Sequence, residues 1–383
     1  MKHKQLIDKV ITYQDGRKDF LYGISGLSIY DKINIGKGMY VLVGGQSGSG
    51  KTSFVDTVFV INPYLAYKDT DTLPVWVYNS MERDTETKLA KWVCNLLYRE
   101  TGILLDVPTL LNFPTSKRKL TPQDIKMLDS IGAIYDTLRD RTIITSGSAT
   151  AEDIRDRKLK IAYQRGKLIT ANGKHFFVNG KNEGELNATE TKNNITRKYF
   201  DGKLGRIYEN ESIYLPSNPN EIVITLDDHI GKIDGPEGAN SKKVIDRHAT
   251  YQGVFKDVCR WLCIDISQFN RDNQSTQRNI RFELDIQEKD FKNSGTPYEN
   301  ADLVLGLINP HKLGHNRYKD INVTKLVAEG GENRLRVLKI VKNSFGSDDI
   351  QMPVMFLGEN GFISDISSKP DEHEYEHIRN ITI

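Results

Sequence analysis

The chain has 383 residues, which at about 150 residues per domain means two to three domains or one large α/β domain with insertions. Lys+Arg total 53 against 51 Asp+Glu, so a net charge of +2 names no partner, while 38% hydrophobic and 27% charged residues supply a core and exclude wholesale disorder. No apolar run reaches the roughly 18 residues of a membrane span, no signal peptide opens the chain, and Cys94, Cys259 and Cys263 are too few for a disulfide framework, so the chain reads as reduced and cytoplasmic, its cysteines as core thiols.

Residues 1–22 are polar and mixed in charge, a candidate subunit-docking helix. MYVLVGG (39–45) is the continuous apolar run of a buried strand, and KTSFVDTVFVINPYLAY (51–67) has helical spacing. VWVYNSM (75–81) predicts a second strand and ETKLAKWVCNLLYRE (86–100) a second amphipathic helix. TPQDIKMLDSIGAIYDTLRD (121–140) opens on Thr-Pro, a good N-cap and N1 pair, and predicts one helix. A strand at 141–147 and a helix at 151–166 follow.

The alternation breaks over residues 167–220. Two Asn-Gly pairs between β-rich runs predict hairpins, so this stretch reads as a β-rich insertion, with Phe176 and Phe177 serving local packing. The rhythm resumes with a strand at 221–230, a helix at 242–262 and a strand at 263–270. Residues 271–293 are a polar loop, and ADLVLGLI (301–308) is a strand. INVTKLVAE, RLRVLKIVKN and VMFLGENGFISDI predict closing antiparallel strands, and the charged tail 367–383 is expected to fray. Strands alternating with helices imply a mostly parallel, twisted sheet with helices on both faces.

The strongest chemical signal is GQSGSGKT, in which Gly45, Gly50, Lys51 and Thr52 fit G-x-x-x-x-G-K-[ST] between a strand and a helix. Gly45, Gln46, Ser47, Gly48, Ser49, Gly50, Lys51, Thr52 and Ser53 form the expected nucleotide cradle. Glycines let backbone N–H groups turn in around phosphate oxygens, and the helix N-terminus adds its positive end. Lys51 reaches the β/γ-phosphates of ATP, and Thr52 offers a hydroxyl to Mg²⁺. Such a site needs a carboxylate on another strand, and Asp227 and Asp228 end one. Strand alternation turns only one of them inward. Glu82, just past the second strand, is the expected group for the attacking water.

These residues, in this order, resemble the RecA-like ATPase core of DnaB-like hexameric replicative helicases, the group that includes phage helicases. The resemblance runs from GISGLSIYDKINIGKG (23–38) to about residue 346 and implies an ATPase domain over 23–366. NSME (79–82) is similar to the motif whose Glu acts on water, which implies that role for Glu82. DDHIG (227–231) is similar to the Asp-His-Ile motif and favours Asp228 over Asp227 as the metal-side carboxylate. ISQFNR (266–271) resembles the motif whose Gln relays the γ-phosphate state to the DNA loops, which implies that role for Gln268. KNSGTPYENADLVLGL (292–307) matches a further segment. His229 and His248 read as local structural histidines.

Two features depart from the family pattern. Family members begin with a primase or primase-binding domain, whereas here the core opens at Gly23. The family also places Lys-x-Arg near its last motif, reaching the neighbouring subunit's nucleotide. Here Lys342 is present but Ser344 stands where Arg is expected, which leaves Arg336, Arg334 or Lys339 as substitutes. Arg271, Arg278, Arg281 and Lys292 are the expected phosphate contacts to single-stranded DNA, in a stretch that also carries acidic residues. The resemblance thus implies an ATP- and Mg²⁺-dependent DNA helicase. It would be a hexameric homo-oligomer on single-stranded DNA, with primase or other replication proteins as partners, no membrane, and a phage-infected cell as its setting if phage-encoded. The alternatives are a RecA/RadA-like recombination or annealing ATPase, and a nucleotide-gated assembly protein with little turnover.

Overall fold

The computed structural model describes residues 19–82, 84–116, 118–172, 175–185, 212–236, 238, 240–270, 285–291, 295–328 and 331–381. All seven residues of Met39–Gly45 are buried, so this strand needs cover on both faces. It is β3, preceded by the short antiparallel pair β1 (Phe20–Leu21) and β2 (Ile35–Gly36). β4 (Leu73–Ser80) and β5 (Thr142–Ser146) follow. β6 (Gly166–Asn172), β7 (His175–Val178), β8 (Lys181–Glu185) and β9 (Ser212–Pro216) make a separate sheet. β10 (Glu221–Asp228), β11 (Leu262–Gln268) and β12 (Leu303–Ile308) return to the main one. β13 (Arg317–Tyr318) and β14 (Ile321–Asn322) pair with each other, and β15 (Leu335–Asn343), β16 (Ile350–Leu357) and β17 (Phe362–Asp365) complete the main sheet.

That sheet has nine strands in the order β17-β16-β15-β12-β3-β11-β10-β4-β5. From β12 to β5 every neighbour is parallel, and β15, β16 and β17 add antiparallel strands at one side. Alternate residues feed two cores. Val41, Val43, Ile224, Leu226 and Ile264 pack with the long helix after β3 and with Thr85–Thr101. Tyr40, Leu42, Val223 and Cys263 pack on the other face with helices Ala151–Arg165 and Ser241–Asp257. This is the expected doubly covered, mostly parallel α/β sheet. The cysteines are free and buried, as expected. Among the described residues no helix is long and apolar enough to cross a membrane.

The insertion folds as the antiparallel sheet β8-β7-β6-β9 with a small core of Ile169, Ala171 and Phe176. Asn179 and Gly180 both have positive φ, 50° and 76°, which is what a two-residue turn between β7 and β8 demands.

Several expectations need correcting. The helix expected over 121–140 is two, Pro122–Ser130 and Gly132–Asp140. Ile131 turns into the core at the junction, and Gly132 does little to hold a continuous helix. The helix expected to run to residue 262 ends at Asp257. Trp261 stacks on Phe255 at 5.2 Å, and Leu262 already pairs with Met39 in the sheet. INVTKLVAE gives only the two residues of β14, because the Asn322 side chain accepts from Thr324 N–H at 3.1 Å and starts a 3-10 turn, Val323–Leu326. The tail does not fray over its described part. Glu372–Arg379 is a helix capped by Asp371, with Tyr375 and Ile378 buried against the second core. The Tyr375 hydroxyl accepts from Asn322 N–H at 2.8 Å.

Candidate nucleotide-binding site

Parallel pairing brings the C-terminal ends of β3, β4, β10 and β11 to one edge. Gly45 pairs with Gln268, and Asp228 with Ser80. Gly45 and Gly50 are required by space. A Cβ on Gly45 would lie 2.6 Å from the Leu307 carbonyl oxygen, and one on Gly50 (φ +94°) would lie 2.7 Å from the Phe356 ring. The loop between them opens on a cavity of about 190 Å³ lined by Ser47, Gly48, Gly50, Lys51, Thr52 and Ser53 from the loop and helix, and by Glu82, His229 and Gln268 from the strand ends. Thus Lys51, Glu82 and Gln268 line one cavity.

Lys51 donates to the Gln46 carbonyl at 2.9 Å, so its charge rests on the loop itself. Burial lowers its pKa, against the pull of Glu82 and Asp228. The Thr52 hydroxyl donates to Asp228 at 3.0 Å. Asp228 is 1% exposed and also accepts from Tyr78 OH at 3.3 Å. Lys88, buried in helix Thr85–Thr101, stands 3.7 Å from Asp228 and 3.3 Å from Asp56. A hydroxyl and a carboxylate this close form a hard oxygen pair that fits Mg²⁺.

Asp227 lies on the opposite face of β10 from the Asp228 carboxylate that meets Thr52. It pairs with Lys158 at 2.6 Å and accepts from Asn79 at 2.6 Å and Gln252 at 2.7 Å. His248 completes this buried cluster, 3.2 Å from Asp265. His229 caps the turn Ile230–Lys232, the local role expected of it, and also lines the cavity. Its Nε2 stands 3.0 Å from Glu82 Oε1, and its Nδ1 accepts from Gly231 N–H at 3.1 Å. Contact with the His229 ring holds the half-buried Glu82 carboxyl below its usual range, with Lys51 adding to the effect. Glu82 is therefore an ionised acceptor at neutral pH.

The cations expected to reach a neighbouring subunit are engaged within their own chain. Arg336 is 1% exposed, and its Nε donates to the Ser49 carbonyl at 2.8 Å. Its guanidinium lies 4.6 Å above the Phe356 ring, so it braces its own phosphate loop. Burial lowers its pKa to about 10. Arg334 donates to the Ile381 carbonyl, and Lys339 sits between Asp285 and Asp349. Lys342 donates to the carbonyls of Tyr298 and Glu299 at 3.1 and 2.9 Å. Arg336→Lys is expected to raise the KM for ATP and lower stability by about 1.5–3 kcal/mol, since an ammonium cannot span the carbonyls of Ser49, Asn333 and Leu335 that the guanidinium meets. Thermal melting and ATPase titration check both effects. Arg271, Arg278, Arg281 and Lys292 lie outside the described residues.

The ATPase domain of a phage helicase superposes with a TM-score of 0.57 at 12% identity, covering 96% of this chain and 99% of that one. A DnaB-like replicative helicase, described with its interactions with primase, superposes with a TM-score of 0.59 at 12% identity, covering 96% of this chain and 69% of that one. The chain has the fold of a DnaB-like ATPase domain. No protein-family model matches it, and no curated protein matches it. The likeness is one of fold, so the chemistry follows from the side chains. Sequence reasoning missed Lys88, Lys91, Glu332 and Phe356, the last three of which line the cavity. Lys88 and Lys91 sit in an ordinary amphipathic helix and carry no motif.

Proposed function

We propose that this chain is an ATP-hydrolysing motor on single-stranded DNA, acting as a replicative helicase in a ring of identical subunits with ATP held at the subunit edges. The observation that carries the ATPase part is the Thr52–Asp228 contact at 3.0 Å beside a cavity shared by Lys51, Glu82 and Gln268. Loop amides and Lys51 would bind the β- and γ-phosphates, and Thr52 with Asp228 would hold Mg²⁺, which screens phosphate charge when bound. Glu82 would accept a hydrogen bond from the attacking water and orient it. Gln268 reaches the same cavity from the end of β11, and the expected DNA loop begins three residues later in sequence. A contact made to the γ-phosphate before hydrolysis and lost afterwards supplies the differential interaction that coupling needs.

The DNA-bound, oligomeric and primase-associated parts of the reading rest on the resemblance of NSME, DDHIG and ISQFNR together with the shared fold. A slow RecA-like recombination or annealing ATPase is the second reading. The engagement of Arg334, Arg336, Lys339 and Lys342 within their own chain favours it. Strand displacement on a forked duplex decides between the two. A helicase unwinds the fork with ATP and is stimulated by single-stranded DNA, whereas the slow ATPase binds the strand and leaves the fork intact.

Glu82→Gln is expected to bind ATP within a few-fold of wild type and to lose turnover by about 10²–10⁴-fold, the range of a positioned acid–base group. Nucleotide binding and steady-state hydrolysis, measured side by side, test this. Turnover near wild type would move the water-orienting role elsewhere.

A further inference from the structure

The site poses a problem of charge. Hydrolysis bonds a water oxygen to the γ-phosphorus and breaks the bond to the β–γ bridging oxygen, whose electron pair leaves with ADP. The water proton passes by way of the Glu82 carboxylate to solvent. Negative charge grows on the bridging oxygen, and motors of this kind meet it with a cation beyond the phosphate-loop lysine. Position 344 offers Ser, and the four basic side chains of β15 and its approach are already engaged.

The geometry points to Lys312 as the cation that meets the terminal phosphates, supplied in cis by the same chain that holds the nucleotide. This inference rests on the ATPase reading above. Lys312 lies in the 3-10 turn His311–Leu313 just beyond β12, the strand that pairs with β3 through Leu307 and Gly45. The turn is tied to the phosphate loop. Asn309 N–H donates to the Gln46 side chain at 3.2 Å, and Lys312 N–H donates to the Asn309 side chain at 3.3 Å. The backbone of Lys312 is thereby placed on the loop, while its side chain is exposed.

Its Nζ lies 3.4 Å from the Gly48 carbonyl oxygen, on the lip of the loop. Gly48 has φ +68°, and a Cβ there would lie 2.5 Å from Lys312 Nζ, so the ammonium sits directly over this residue of the loop. Its charge is close enough to Lys51 to help lower that residue's pKa. Among the described residues its contact is this one neutral carbonyl, with no carboxylate to neutralise it. A phosphate oxygen is a far stronger partner than a carbonyl at that distance, so nucleotide draws the ammonium inward. A lysine on a tethered turn then does from within the chain what Lys-x-Arg does from a neighbour.

The test uses the full chain. Lys312→Ala is expected to lower kcat by about 10²-fold, the scale of one lost charge-stabilising donor. Affinity for a fluorescent ATP analogue should stay within about 3-fold, and Lys312→Arg should recover most of the rate. Mixing then separates cis from trans. Lys312→Ala chains, which keep an intact phosphate loop, are combined with Lys51→Ala chains, which keep Lys312. A cis cation leaves the mixture inactive, and recovery of turnover on mixing would overturn the cis assignment. A Lys312→Ala rate within about 3-fold of wild type would overturn the role altogether. Failure of the underlying reading looks different: wild-type chain that does not hydrolyse ATP, or hydrolyses it equally well as Lys51→Ala.

Discussion

Lys51→Ala is expected to abolish ATP turnover, with kcat reduced by at least about 10³-fold and nucleotide affinity weakened. The ammonium is half-buried in the phosphate loop, and its partner without nucleotide is the neutral Gln46 carbonyl at 2.9 Å. Burial lowers its pKa, so the charge is held at a cost that an anion would relieve. Alanine removes the charge at the point where phosphate oxygens gather. It removes little from the fold, because one hydrogen bond to a carbonyl contributes about 1 kcal/mol. Thermal melting should therefore change little while hydrolysis disappears. Hydrolysis near wild type in this variant would end the phosphate-loop reading.

Lys158→Met is expected to have the largest effect on stability, a loss of about 3–5 kcal/mol. Lys158 is 1% exposed, donates to Asp227 at 2.6 Å, to Gln252 at 2.8 Å and to Thr225 at 3.1 Å. Asp265 lies in the same cluster, held by Tyr40 OH at 2.6 Å and by His248 at 3.2 Å. Burial alone would raise the Asp227 pKa, but Lys158 and His248 outweigh it and hold the carboxyl well below its usual range. Removing the ammonium leaves a buried carboxylate without its counter-charge. Chemical denaturation measures the loss, and pairing Lys158→Met with Asp227→Leu should recover much of it, because an apolar pair costs less than a lone buried ion.

The same cluster gives stability a pH dependence. Burial would lower the His248 pKa, but Asp265 and Asp227 raise it from 6.5 to about 9. The folded pKa is the higher one. The contribution is therefore fully present below pH 6.5 and is lost as pH rises through about 9. Denaturation midpoints across that window should fall for the wild type and fall less for His248→Gln.

The local pattern of the sequence determined the alternation of strands and helices and the phosphate loop. Each depends on residues close in the chain: a continuous apolar run in Met39–Gly45, glycines where no side chain fits, a Thr-Pro cap at Thr121, an Asn-Gly turn at Asn179. The choice between Asp227 and Asp228 was half legible. Alternation says that one carboxylate faces the nucleotide and the DDHIG resemblance favours Asp228, but the parallel pairing of β10 with β4 and β11 is what puts Asp228 on the face of the phosphate loop and Asp227 on that of Lys158. The fates of Arg336, His229, Lys312 and the C-terminal helix were not legible. Each is set by a partner far away in sequence: the Ser49 carbonyl, Glu82, the Gly48 carbonyl and Asn322. A basic residue in a strand reads the same whether it reaches a neighbouring subunit or turns back onto its own loop. What decides is the packing of that strand against the rest of the sheet, because burial and hydrogen-bond partners, unlike periodicity, exist only once the chain has folded.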